Sequence, residues 1–188
     1  DNGMEFETAV SIRASGGKVS FKEGKILVSN CTDLILVQVA ATEYELKFPT
    51  YSGHDYLAQN RKNLTEVKNK SYQQLRQEHI ADYQSLFNRV NLQLGSEKSP
   101  DLPTDQRLAQ YYQGAKDPGM ESLYFQYARY LMISGSRPGS MSMHLQGKWN
   151  NSTNPPWAAD YHSNINLEMI YWPAELTNLS ECHEPFLA

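Results

Sequence analysis

Residues 117–138 read DPGMESLYFQYARYLMISGSRP, and this stretch decides the class of fold. Asp117 is suited to cap a helix. Pro118 is suited to open one, because its nitrogen carries no hydrogen to leave unpaired in the first turn. Met120, Leu123, Tyr124, Tyr127, Leu131 and Met132 recur at three- and four-residue intervals, and Phe125, Tyr130 and Ile133 widen the stripe. A stripe that broad predicts a helix buried among other helices. Gly135 suits the C′ position just past the helix, and Pro138 blocks any continuation.

Upstream the period changes from helix to strand. Phe6, Thr8, Val10 and Ile12 alternate with Glu7, Ser11 and Arg13, predicting a strand with a buried apolar face and a wet polar one. Gly16-Gly17 and Glu23-Gly24 mark turns around two short segments, Val19 with Phe21 and Ile26 to Val28. Leu34 to Val39 is apolar on both faces, as in a strand held between layers. So few strands cannot close a sandwich, so a partner sheet is expected upstream of Asp1. Beyond Ser52 the helical period begins. Tyr72, Leu75, His79, Tyr83 and Leu86-Phe87 form one stripe, with Asn69 or Ser71 as its cap. Residues 91–103, with Gly95, Pro100 and Pro103, predict a connector. Glu184 to Ala188 lacks a closing cap and has the character of an interrupted helix. The expectation is a fragment of a larger protein, running from a β region into a helical one.

Composition narrows the functional classes. Among 188 residues, 17 Lys and Arg face 21 Asp and Glu, for a net charge of −4. That excludes the basic footprint of a nucleic-acid or anionic-lipid binder. The longest apolar run, Leu34 to Ala41, is broken by Gln38 and falls far short of the roughly 20 residues of a membrane span. Asp1 to Glu5 is polar and acidic, unlike a signal peptide. Cys31 and Cys182 stand far apart with no metal-ligand spacing around them, so both are expected reduced and packed, with no metal and no cofactor.

The chemistry is concentrated in residues 144–183, HLQGKWNNSTNPPWAADYHSNINLEMIYWPAELTNLSECH. Trp149 and Trp157 flank an Asn/Ser/Thr/Pro loop that cannot form regular structure readily. Each ring either anchors the loop or stacks on a ligand, and the apolar faces of a sugar ring are a natural partner. If residues 162–166 are extended, His162, Asn164 and Asn166 point to one face. One imidazole and two carboxamides suit the gripping of sugar hydroxyls, although they equally suit the satisfaction of backbone groups near a helix start. The nearby carboxylates are Asp160, Glu168, Glu175, Glu181 and Glu184. A glycosidase needs two carboxyl groups facing each other across a bond, and no spacing here provides that.

The string LQGKWNNSTNPPWAADYHSNINLEMIYWPAELTNLSECHEP, residues 145–185, resembles the signature of glycoside hydrolase family 95, whose principal members are α-L-fucosidases. SLYFQYARYLMISGSRPGSM (122–141) is similar to the family's first barrel helix and the loop after it. HIADYQSLFNRVNLQLG (79–95) resembles its linker, and GGKVSFKEGKILVSNCTDLILVQVAATEY (16–44) the end of its N-terminal β-domain. The family motif often reads Leu-Pro-Ala-Asn before the shared Gln-Gly, with Leu preceding the Gln; here Ser142-Met143-His144 precede Leu145-Gln146-Gly147.

The resemblance implies an α+β fragment. Residues 1–50 would end an N-terminal β-sandwich, residues 51–103 would form a helical linker, and residues 104–188 would open an (α/α)6 barrel. It implies part of an inverting exo-α-L-fucosidase acting on terminal α-1,2-linked L-fucose of an oligosaccharide or glycan. Asn164 and Asn166 would position the attacking water and His162 would contact the sugar, with Trp149 and Trp157 walling the site. The general acid and base would lie later in the barrel, so this chain alone is expected to hydrolyse nothing. The alternatives are an α-L-galactosidase of the same family, or a non-catalytic carbohydrate-binding protein. A secreted or periplasmic setting is expected, as is usual for enzymes acting on such glycans.

Overall fold

A computed structural model describes residues 3–95 and 99–188, so the first two residues and part of the expected connector lie outside the described residues. The chain divides into two compact units, Asp1–Glu78 and His79–Ala188.

The first unit contains four strands, found where the alternation predicts them. β1 (Phe6–Ser15) pairs antiparallel with β4 (Asp33–Thr42), with Phe6 opposite Thr42 and Ser15 opposite Asp33. Between them, β2 (Lys18–Lys22) and β3 (Lys25–Ser29) form a hairpin closed by Glu23 and Gly24. Both turn residues have positive φ, 52° and 71°, the geometry whose twist matches that of paired strands. Helix α1 (Tyr56–Val67), capped by the Asp55 carboxylate on the Ala58 N–H, packs on β1 and β4.

The helix covers the face of the ribbon that is polar on β1, where the sequence marks it as wet, and apolar on β4. Glu7, Ala9, Ser11 and Arg13 are half-buried, whereas Phe6, Val10, Leu34 and Leu36 are exposed. Hydrogen bonding explains this inversion. Asn60 of α1, fully buried, donates to the Glu7 carbonyl at 3.2 Å and to the Glu7 carboxylate at 2.9 Å. The Arg13 guanidinium donates to the carbonyls of Lys68 and Lys70, at the end of α1 where backbone acceptors lack helical partners and a cation is favoured. β4 therefore does not have two buried faces in this chain. Ile35, Val37, Val39 and Ala41 are half-buried beneath α1, and the alternate residues are exposed.

Helix α2 (Tyr72–Phe87) opens with a capping box, which makes Ser71 its cap. The Ser71 hydroxyl accepts the Gln74 N–H at 3.2 Å, and the Gln74 amide oxygen accepts the Ser71 N–H at 2.8 Å. Helices α1 and α3 (Thr104–Tyr112) lie in stretches expected to be helical, but the sequence delimits neither. Neither carries a broad apolar stripe: Asn60 is the one buried residue of α1, and α3 has none.

In the second unit, α4 (Pro118–Gly135) begins as its sequence predicts. The buried Asp117 carboxylate accepts the Met120 N–H at 2.9 Å and two bonds from Arg107, each 2.9 Å. Hydrogen bonding to Arg107 holds the Asp117 carboxyl below its usual range. Gly135 is the last helical residue rather than the one beyond it. Close packing is what requires a glycine there, since a Cβ would lie 2.7 Å from the Met143 sulfur. Ser136 is the cap.

Three further helices follow: α5 (Ile165–Tyr171), α6 (Pro173–Leu176) and α7 (Glu184–Leu187). The core is formed by Leu86, Met132, Ile133, Met143, Leu167, Tyr171, Ala174, Leu179 and Cys182. α4 is not buried all round. Met132 and Ile133 are 2% exposed, but Tyr124 is 76% exposed and Tyr127 53%. The other side of α4 holds a buried cation. Arg129 donates to the carbonyls of Phe87, Leu86, Val90 and Thr177 and to the Gln126 amide oxygen, with its guanidinium over the Phe87 ring. Oxygen dipoles and a ring face thus surround a charge that lacks a carboxylate, and burial pulls its pKa down. Both cysteines are free.

Candidate functional site

The loop between α4 and α5 forms the site, and an unusual density of backbone anchors holds it. His144 and Gly147 exchange two hydrogen bonds, 3.1 and 2.8 Å, closing a tight turn around Leu145 and Gln146. Gly147 has φ +71°, and a Cβ there would meet the Trp149 ring at 2.9 Å, so only glycine fits. The Leu145 N–H donates to the Asp160 carbonyl at 3.2 Å, tying the two arms of the loop together. The Lys148 ammonium donates to the carbonyls of Met141 and Ser142, and burial lowers its pKa.

Beneath the loop, Tyr171 connects three elements. The Met143 N–H donates to the Tyr171 hydroxyl at 2.8 Å, and the Ser136 hydroxyl donates to the Cys182 carbonyl at 2.8 Å. With the serine proton engaged there, the 2.8 Å contact between the hydroxyls of Tyr171 and Ser136 is donated by the tyrosine. This relay secures the loop to α5 and to the end of α4. Tyr171, His183 and Phe186 stack with centroids 5.1–5.6 Å apart, packing the end of α5.

Above this base lies a cavity of about 420 Å³, lined by Leu145, Gln146, Pro156, Trp157, His162 and Asn166. Trp157, Ala158 and Ala159 all have positive φ, 48°, 53° and 49°. Left-handed backbone costs a residue with a Cβ about 1–2 kcal/mol, so three in succession form an expensive turn. The turn is held by hydrogen bonds from Ala158 to the Pro155 carbonyl and from Asp160 to the Trp157 carbonyl. Its effect is to present the Trp157 ring, 74% exposed, on the cavity wall.

His162 lies 2.6 Å from the Asp160 carboxylate through Nε2. A carboxylate only accepts, so Nε2 carries the proton that Asp160 receives. Residues 162–166 are not extended throughout, because α5 begins at Ile165. Leu167 and Tyr171 are buried four residues apart, and that packing imposes the helical period. Asn164 sits at the N-cap, yet its side chain makes no capping hydrogen bond. Asparagine is a favoured cap and ordinarily stabilises a helix by about 1 kcal/mol through such a bond. Asn166, the second residue of α5, lines the cavity.

The structure therefore gathers His162, Asn166 and Trp157 around one cavity. Asn164, at the helix start, is not among the residues that line it. Trp149 lines a separate apolar recess of about 320 Å³ with Met132, Met143, Met169 and Pro173. Glu175 and Glu181 are engaged elsewhere, with His183 at 3.1 Å and Arg89 at 2.8 Å. Two residues of the site were not singled out from the sequence. Asp160 stands two positions before His162, the spacing that puts two side chains of an extended segment on one side. Gln146 carries no such signal. Among the described residues, no group of His, Cys, Asp and Glu is arranged to hold a metal ion, and no helix is long and apolar enough to cross a membrane.

Residues 71–188 match the glycosyl hydrolase family 95 catalytic domain, and the chain belongs to that family. It is 38% identical to "Alpha-L-fucosidase 2" of Arabidopsis thaliana over 97% of this chain and 23% of that protein. It is 40% identical to "Probable alpha-fucosidase A" of Aspergillus niger over 81% of this chain and 20% of that protein. With the Aspergillus oryzae protein of the same name the identity is 33% over 95% of this chain and 26% of that protein. The chain thus spans about a quarter or less of the length of these relatives.

Proposed function

We propose that this chain is part of an inverting exo-α-L-fucosidase that removes terminal α-1,2-linked L-fucose from oligosaccharides or glycans. The family, and relatives bearing α-fucosidase names, support the substrate class. The observation that carries the site assignment is the start of α5. Asn164 holds the N-cap without using its side chain for capping, and Asn166 follows on the wall of a sugar-sized cavity beside His162 and Trp157.

In this reading the two carboxamides hold the attacking water, and each can donate to and accept from it. Neither can take its proton at neutral pH, so a carboxylate must act with them, and a carboxylic acid must protonate the leaving oxygen. Inversion places that pair about 6.5–9.5 Å apart. We assign both groups to parts of the parent polypeptide beyond this segment. His162 binds a sugar hydroxyl while Asp160 fixes its ring, and Trp157 stacks on the apolar face of the sugar.

The same proposal covers the architecture. Residues 1–50 belong to a β-sandwich, 51–103 to a helical linker and 104–188 to the opening of an (α/α)6 barrel. The exposed apolar faces support it: Phe6, Val10, Leu34 and Leu36 on the ribbon, and Tyr124 and Tyr127 on α4, are surfaces that a larger assembly would cover.

The test is to incubate the full-length parent protein with a 2′-fucosylated oligosaccharide and follow the released sugar by NMR. Release of β-L-fucose before mutarotation is expected. Release of the α anomer contradicts inversion, and hydrolysis of a matched α-L-galactoside with higher kcat/KM transfers the assignment to that sugar. A protein that binds the oligosaccharide without cleaving it is a carbohydrate-binding protein instead.

A further inference from the structure

One residue that lines the cavity carries a polar group that the folded chain leaves unsatisfied. The amide oxygen of Gln146 is buried and has no hydrogen-bond partner among the described residues. Buried polar atoms almost always have partners, and an exception calls for an explanation.

The backbone of Gln146 has little freedom to move away. Its N–H donates to Nδ1 of His144 at 3.1 Å, and its carbonyl accepts the Trp149 N–H at 3.2 Å. It lies inside the turn closed by His144 and Gly147, where the contact of Gly147 with the Trp149 ring fixes the path of the chain. From this turn Gln146 lines the same cavity as Trp157, His162 and Asn166, and it also borders the apolar recess of Trp149.

We infer that Gln146 is a substrate-binding residue, whose carboxamide receives a ring hydroxyl of the terminal sugar. The inference rests on the fucosidase reading, because that reading places the terminal sugar against Asn166. Here the empty acceptor acquires a purpose. Once the amide turns its sealed oxygen toward the cavity, a sugar hydroxyl supplies the missing donor, and the other end of the amide can donate to the same or a neighbouring hydroxyl. A site built to bond a hydroxyl rejects the analogue that lacks it, since the site's own buried group is then left unpaired. Gln146 would therefore set specificity for one hydroxyl rather than add affinity for sugars in general.

The test uses the full-length protein, with Q146M and Q146A made in parallel, so that failure of one to fold leaves the other. Melting temperatures confirm folding. kcat/KM is then measured on an aryl α-L-fucoside and on its 2-, 3- and 4-deoxy analogues. The expected result is that one deoxy analogue is about tenfold or more poorer than the parent fucoside for the unsubstituted enzyme. Both variants should lose a similar factor on the parent fucoside and discriminate little against that one analogue, with the other deoxy penalties unchanged. Variants that are slower on every substrate while keeping all the deoxy penalties would overturn the assignment and leave Gln146 as a shaper of the loop. An unsubstituted protein that hydrolyses no α-L-fucoside would instead overturn the fucosidase reading, and this assignment with it.

Discussion

The two units of the chain are held together by opposite means. Among the described residues, every fully buried hydrophobic side chain belongs to residues 86–182, whereas the one buried residue of the first unit is a polar one, Asn60. The first unit is a ribbon fastened to a helix by hydrogen bonds and by half-buried Ile35, Val37 and Val39, while Phe6, Val10, Leu34 and Leu36 are exposed. In the second, a methionine- and leucine-rich core supports a rigid loop. The difference teaches that the apolar face of a strand is not always the face its own chain covers. A helix that brings an amide and unpaired carbonyls is drawn to the polar face, and the apolar face is left for another surface.

The sharpest way to break this comparison is to remove the polar group within the apolar unit. Arg129→Met should strand the carbonyls of Leu86, Phe87, Val90 and Thr177 in a dry interior. The expected loss is about 3 kcal/mol or more, read as lost amide-exchange protection within residues 86–90 and 126–182. Unchanged protection would mean that the guanidinium is replaceable by packing alone. A smaller effect, about 1–2 kcal/mol, is expected for Asn60→Ala, which leaves the Glu7 carbonyl without its donor. Its loss of protection should be confined to β1, β4 and α1; a gain in stability would show that the amide is a cost of the fold rather than its fastening.

The smallest effect is a pH dependence. Asp117 is held below its usual carboxyl range, first by Arg107. Glu181 is also held low, first by its own backbone N–H and then by Arg89. A depressed carboxyl contributes stability that is fully present above the ordinary carboxylate range and is lost as pH falls through the lower folded value. These two carboxyls should therefore weaken the second unit as pH falls, and Asp117→Asn, which keeps the cap oxygen but loses the charge, should flatten that limb. An acid limb identical in the variant would remove Asp117 from the account.

Much of this was legible in the sequence wherever a local rule was decisive. The strands follow their alternation, α4 begins at the Asp117-Pro118 pair, and Ser71 rather than Asn69 caps α2 because Gln74 completes the box. The burial of each face was not legible, because periodicity tells the two sides of a strand apart without saying which side a helix will choose. α1 and α3 lie in stretches read as helical but could not be delimited, because neither buries an apolar stripe. Within the site, His162, Asn166 and Trp157 could be picked out by residue type and context. Gln146 could not, since its meaning lies in an unpaired oxygen, which is a property of the folded surroundings alone.

The central claim is that the start of α5 is built for chemistry rather than for stability, and one substitution in the full-length protein tests it most directly. Asn166→Ala should leave the melting temperature essentially unchanged, because alanine is the best helix former and the side chain it replaces lines a cavity. The same variant should lower kcat on a 2′-fucosylated oligosaccharide by about 10²–10³-fold, as expected for removal of a preorganised polar group at the reacting centre. Turnover close to that of the unsubstituted enzyme would contradict the account.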